Sequence, residues 1–261
     1  MSVQYAPEGL IGLLTPQANT TAEIEFSALM PQGVEALVAR MTSGCPTLES
    51  RLVEYFERLD DTIAQFANAP IKAVAVACTG SSYLIGPQRE DQLFDAVSTR
   101  YGQPVTSAGL SVVQACAALS AQRIALLSPY SDSLTAESVR YWQARGLEVV
   151  EVIRVGSDAS AFHPIYAISA DSTSSALQSL TTDRAQAIIA LGTGMPSLGT
   201  VLAHPRWQGV PVLSCMLALA WNAVRLAQQA SVNAQSLLEI IEGKSWGPRF
   251  RTRFQNSHAE S

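Results

Sequence analysis

The sequence predicts an α/β fold of two pseudo-symmetric halves, each a mainly parallel sheet flanked by helices, with an active site in the crevice between them. Three observations predict it. Short runs rich in Val, Ile and Leu, each ending in turn residues, alternate with amphipathic helical runs, as in parallel sheets covered on both faces. Several of these runs recur as matched pairs in the same order. The length, 261 residues, suits one large domain or two of about 100–150 residues each.

The expected strands are LIGLLTP (10–16), KAVAVACTG (72–80), QPVTSAG (103–109), RIALLSPY (123–130), LEVVEVIRV (147–155), AQAIIALGTG (185–194) and VPVLSC (210–215). Helical spacing of apolar residues marks 48–67, 134–146 with Gly146 as its C-cap, and 217–230. Trp142, Leu217 and Trp221 read as core rather than as a cofactor box. The pairs are IGLLTPQ with IALLSPY (Ile11 and Ile124), ACTGS with LGTGM (Cys78 and Gly192), and QPVTS with VPVLS (Pro104 and Pro211). Each pair is offset by roughly 110 residues, the size of one small α/β unit. The chain therefore reads as an N-terminal half over 1–115, a C-terminal half over 116–235, and a C-terminal helix or tail over 236–261. The halves are expected to exchange their last helices, because the C-terminal segment must cover a sheet face.

A net charge of -5 argues against a phosphate-tracking face, and so against nucleic acid as a partner. The basic run Lys244 to Arg253 reads as a solvated tail. The first residues lack the positive and apolar regions of a secretory signal, and no stretch of about 18 apolar residues suggests a membrane span. Cys45, Cys78, Cys116 and Cys215 sit at unrelated spacings, which fits reduced thiols in the cytoplasm better than a disulfide framework. Histidines at 163, 204 and 258 form no metal-ligand spacing, so no metal is expected. No Gly-x-Gly-x-x-Gly or Walker loop implies a nucleotide, and no organic cofactor is expected. A homo-oligomer is left open.

Ligands of parallel sheets bind beyond the carboxyl ends of the strands. Four turns there, TPQANTT, ACTGSS, SPYSDS and GTGMPS, offer free backbone N–H groups and small polar side chains suited to a carboxylate. Cys78 is the leading catalytic candidate. It ends a strand, and Thr79, Gly80, Ser81 and Ser82 open a helix after it, a setting expected to favour the thiolate. Cys116 reads as core, and Cys215 is placed at the end of a strand where it can edge the crevice. The paired hydroxyls of Thr79 and Thr193 can bind a carboxylate or cap helices. Tyr130 can hydrogen-bond the substrate or wall the pocket. Asn19 can donate its amide to a ligand or form an ordinary Asx turn. His163 is as compatible with the surface as with the site. Pocket size is expected to depend on side chains such as Leu84, Met195 and Met216.

These residues resemble the aspartate/glutamate racemase superfamily, within it the maleate isomerase and arylmalonate decarboxylase branch. The resemblance is carried by PQANTTAEIE, ACTGSS, RIALLSPY, GLEVVEV, LGTGMPSL and PVLSCMLALAWNAVRLA, which span nearly the whole chain in order. It implies that Cys78 is the nucleophile or proton carrier and that Thr79 and Gly80, with Ser81 beside them, hold one carboxylate. It implies a substrate-binding Asn19, a pocket Tyr130, and a second loop at Thr193 and Gly194. His163 falls near an expected binding asparagine. Gly192 stands where a second cysteine is expected, and Gly194 where an asparagine is frequent.

Racemisation needs an acid and a base on opposite faces of a carbanion, so a single thiol disfavours it. Cis–trans isomerisation by addition and loss of sulfur tolerates a single thiol better, and so does decarboxylation with a single proton donor. The expected function is therefore a cofactor-independent, maleate isomerase-like enzyme acting on a small dicarboxylate. A malonate decarboxylase with Cys78 as sole proton donor is the first alternative, and a non-catalytic carboxylate binder the second.

Overall fold

A computed structural model describes residues 3–156, 164–181 and 183–254. Its first sheet contains β1 (Gly9–Pro16), β2 (Val34–Met41), β3 (Ala73–Val76) and β4 (Val105–Ser107), all parallel in the order β2-β1-β3-β4. The second contains β5 (Arg123–Ser128), β6 (Glu148–Arg154), β7 (Ala187–Ala190), the two-residue β8 (Arg206–Trp207) and β9 (Val210–Ser214). There the order is β6-β5-β7-β9-β8, parallel except for the β8–β9 edge. The two orders correspond. In each half the first strand is central, the second lies outside it, and the third and fourth follow on its other side. The sequence pairs fall on equivalent strands: Ile11 and Ile124 on β1 and β5, Pro104 and Pro211 at the starts of β4 and β9. Every residue of β1, β3 and β7 is buried, which is why these strands read as continuous apolar runs.

The first half carries α1 (Ala22–Leu29), α2 (Leu48–Glu57), α3 (Leu59–Ile63), α4 (Thr79–Ile85), α5 (Pro87–Tyr101) and α6 (Ala108–Ala118). The second carries α7 (Asp132–Ala144), α8 (Ala170–Gln178), α9 (Leu198–Ala203), α10 (Cys215–Ala227), α11 (Ala234–Ile241) and α12 (Gly247–Phe254). Helix α10 is buried almost all round. It leaves β9 of the second sheet and packs on β1, β3 and β4 of the first, against α1 and α6. Helix α10 thus crosses to cover the first sheet, whereas α6 packs chiefly on α10 and on β4 of its own sheet, so the expected exchange is one-way.

Two further contacts join the halves. Helix α4 packs on α7 through Tyr83, whose ring centroid lies 5.4 Å from that of Tyr141 and 5.6 Å from that of Trp142. Beside it, Glu90 of α5 is fully buried and accepts hydrogen bonds from Ser107 Oγ (2.6 Å), Tyr141 Oη (2.5 Å) and Arg145 Nη2 (2.8 Å).

Some expectations change. The helix expected over 48–67 is broken into α2, α3 and a 3-10 turn at Ala64–Phe66, because Arg58 leaves the helical region (φ −106°, ψ 27°). Strand β2 has no counterpart among the expected strands. It is an edge strand with Glu35, Leu37 and Val38 exposed, so its pattern is neither a buried run nor a clean alternation. The segment read as a solvated tail is docked. Trp246 is fully buried, and Arg249 Nη2 of α12 donates to Met30 O at 2.8 Å. Trp142, Leu217 and Trp221 are core residues. Among the described residues no helix is long and apolar enough to cross a membrane.

Candidate active site

The carboxyl ends of β1, β3, β5 and β7 meet in one cleft. A cavity of about 80 Å³ there is lined from both halves, by Asn19, Cys78, Thr79 and Gly80 of the first and Tyr130, Gly192, Thr193 and Gly194 of the second. Its size suits a small acid rather than a nucleotide.

Cys78 is the N-cap of α4, with its own backbone extended (φ −149°, ψ 101°) and its side chain 3% exposed. Ser81 Oγ lies 3.1 Å from Sγ, and the N–H groups of Gly80 and Ser81 also point at the sulfur. Ser81 is thus fully buried behind the thiol and is not part of the cavity wall. The expectation of a thiolate at rest is corrected here. Burial raises the Cys78 pKa, and the three donors only partly offset it. The helix terminus is present, but burial of the sulfur removes the water that would solvate the anion.

The loops around Cys78 are tied across the two halves. Asn19 Oδ1 accepts from the N–H groups of Thr21 (2.9 Å) and Ala22 (3.0 Å), forming an Asx turn that opens α1. That fixes the amide's orientation, so Nδ2 faces the second half, 3.5 Å from Thr193 Oγ1. Thr193 Oγ1 donates to Ala77 O at 2.7 Å, and Thr21 Oγ1 donates to Gly194 O at 2.8 Å. Thr79 Oγ1 and Tyr130 Oη share a 2.6 Å hydrogen bond across the same boundary. Burial keeps Tyr130 well above its ordinary pKa, as a neutral phenol.

Gly192 has φ +84°, a conformation that disfavours any side chain. A Cβ there would also lie 3.0 Å from Pro129 Cγ and 3.2 Å from Tyr130 Oη. A second thiol at position 192 would therefore strain the backbone and push Pro129 and Tyr130 aside by a few tenths of an ångström. Cys215 does not take its place at the cavity. It is the first residue of α10, fully buried behind the Gly192 N–H, and absent from the lining. Burial pushes its thiol up to about 12. Cys116, in α6, is likewise core and pushed up to about 12.

His163 lies outside the described residues. The turn that follows it brings Ile165 and Tyr166 to the cavity. A Cβ on Gly194 would fall 2.3 Å from Tyr166 Cε1, so glycine at 194 lets the ring lie against that loop. Helix α2 adds Leu48, Arg51, Leu52 and Tyr55 to the lining, residues the sequence reading passed over. Their i, i+3, i+4, i+7 spacing was the available signal, since it marks one stripe of a helix. Leu84, Met195 and Met216, expected to set pocket size, are not in the lining.

Two charged side chains hold the loops from behind. Arg40 of β2 donates from Nη1 to the carbonyls of Pro16 (3.3 Å), Gln17 (3.3 Å) and Asn19 (3.1 Å), and from Nη2 to Glu23 (2.5 Å). Glu25 of α1 is buried and reaches across to the start of α9. It accepts from Ser197 N (2.6 Å), Leu198 N (2.9 Å) and Ser197 Oγ (2.9 Å). Burial outweighs these donors and raises its pKa to about 7 from an ordinary 4.5. Its sign follows from linkage: a native pKa above the unfolded one gives stability that is complete below about 4.5 and is lost as pH rises through about 7. The expected result is that Glu25→Gln, which keeps the shape and the acceptor, removes this slope. Its unfolding free energy should gain about 3 kcal/mol on wild type between about pH 4.5 and about pH 8. Denaturant melts across that range check it, and a pH-independent difference refutes it.

A fold of two equivalent parallel-sheet halves, with one thiol in their shared cleft and neutral donors from both sides, defines a class of cysteine-dependent isomerases and decarboxylases. The chain belongs to the arylmalonate decarboxylase family, whose model matches residues 11–238. It is similar to the maleate isomerase of Nocardia farcinica, 28% identical over 235 residues, covering 82% of this chain and 88% of that one. It is also similar to a structure of a maleate cis-trans isomerase variant from Nocardia farcinica with a covalently bound succinylcysteine intermediate. That match has 25% identity, a TM-score of 0.75, and covers 88% of this chain and 98% of that one. A crystal structure of arylmalonate decarboxylase, 19% identical with a TM-score of 0.71 over 85% of this chain and 94% of its own, shares the fold.

Proposed function

We propose that this protein is a cofactor-independent, cysteine-dependent cis–trans isomerase of a small unsaturated dicarboxylate such as maleate. The observation that carries the reading is Cys78, the one thiol among the described residues lining the cavity, at the N-cap of α4 with hydrogen-bonding groups from both halves around it. The likeness to maleate isomerases, one with a sulfur-bound succinyl group, supports the same chemistry. Cys78 sulfur bonds to one olefinic carbon, and the electron pair of the double bond moves to the other carbon. That carbon takes the proton given up by the thiol. The resulting single bond rotates. Elimination then reforms the double bond in the trans geometry and returns the proton to sulfur. Thr79, Gly80, Asn19 and Tyr130 bind the carboxylate on which charge develops, and Thr193 and Gly194 shape the other wall. Ser81 orients the sulfur. Position 192 supplies no acid, so one thiol carries the proton out and back. Four free cysteines suit a reducing compartment, and we place the protein in the cytoplasm.

Decarboxylation of a substituted malonate is the second reading, favoured by the neutral resting state of Cys78. There the bond to one carboxylate breaks, carbon dioxide leaves, and the remaining enediolate keeps the electron pair. Cys78 protonates its carbon and is reprotonated by water. Proton NMR in deuterium oxide separates the two. Maleate is expected to become fumarate without loss of carbon. An inert maleate sample beside a decarboxylated arylmalonate would replace the first reading with the second.

A further inference from the structure

We infer that Arg51 makes the cavity selective for dianionic over monoanionic acids, as the counter-ion of the carboxylate that the neutral donors around Cys78 do not bind. The inference rests on the reading that the site takes a small diacid. Arg51 is the only charged side chain among the described residues that line the cavity; the groups around Cys78 are neutral hydroxyls, an amide and backbone N–H. It belongs to the α2 stripe with Leu48, Leu52 and Tyr55, whose spacing turns one helix face to the cleft.

Two backbone carbonyls hold the guanidinium. Nε donates to Cys45 O at 2.6 Å, and Nη2 donates to Pro46 O at 3.3 Å. These contacts position the group and leave its charge uncompensated. Among the described residues no carboxylate forms an ion pair with it, unlike Arg40, Arg58 and Arg145, which are all paired. Arg51, Tyr55 and Cys78 line the same cavity, so the cation and the thiol act on the same small space. A half-buried cation beside apolar Leu48 and Leu52 favours a second negative charge there, and a monoacid cannot supply one. The neutral donors at the Cys78 end bind a first carboxylate equally well in either ligand class.

Titration calorimetry on the full chain with succinate as the dianion and propionate as the monoanion tests this. Wild type is expected to prefer succinate. Arg51→Gln should weaken succinate about 10-fold or more and leave propionate within about 2-fold, while Arg51→Lys, which keeps the charge, recovers part of the preference. Equal losses for both anions would assign Arg51 a merely structural role and overturn the inference. So would a wild type that binds the two alike or binds neither. Failure of the isomerase reading appears separately, as wild type that holds succinate through Arg51 yet leaves maleate unconverted.

Discussion

Replacing Cys78 with alanine is expected to abolish turnover, by at least about 10³-fold, while the protein stays folded and still binds a dicarboxylate. In both chemical readings the sulfur is the only group that touches the reacting carbon. As nucleophile it forms the bond that must break for rotation. As acid it delivers the proton that ends decarboxylation. Cys215 and Cys116 are sealed in the core and cannot substitute, and position 192 has no side chain. Loss of one buried sulfur should cost the fold only about 1 kcal/mol. The check is a single-turnover assay beside a thermal melt and a succinate titration. Activity retained in a folded Cys78→Ala protein would remove the thiol from the mechanism, and binding without turnover in wild type would favour the non-catalytic carboxylate binder.

The largest expected effect on stability comes from Glu90→Ala. Glu90 is fully buried where α5, α7 and the start of α6 converge, and it accepts from Ser107, Tyr141 and Arg145. Truncation leaves two hydroxyls without their acceptor in a site closed to water. Arg145, whose side chain is 12% exposed, keeps only the half-exposed Asp91 as its carboxylate partner. Removing one member of a buried ionic network costs about 3–5 kcal/mol; the Asp91 contact argues for about 3. For a chain of this length that lowers the melting temperature by roughly 6–12 °C. Because the network joins the two halves, turnover should fall as well, and Glu90→Gln, which keeps an acceptor, should lose less. A melting temperature within about 1 °C of wild type would show that the network contributes little.

The fold was legible because its signals are local. A strand buried on both faces must be apolar throughout, so β1, β3, β5 and β7 announce themselves, and the duplication follows from comparing their ends. Strand β2 escaped because it is an edge strand with exposed apolar and acidic residues, a pattern set by where the sheet stops. The candidate site was legible in part. Asn19, Cys78, Thr79, Gly80, Tyr130, Gly192, Thr193 and Gly194 all follow strand ends, where ligands of such sheets collect, and all line one cavity. Arg51, Tyr55 and Tyr166 come from a helix stripe and a connecting turn, and only packing turns them toward the thiol.

The amino-acid sequence by itself determined two related halves, one cysteine-bearing turn and a glycine opposite it, because strand burial and turn chemistry act over a few residues. Only the tertiary structure decided the burial that raises the Cys78 pKa, the tight fit around Gly192 and the cation at the cavity wall. Each of these depends on what surrounds a group in space: on how far packing keeps water from the sulfur, how near Pro129 and Tyr130 stand, and which carboxylates fail to reach Arg51.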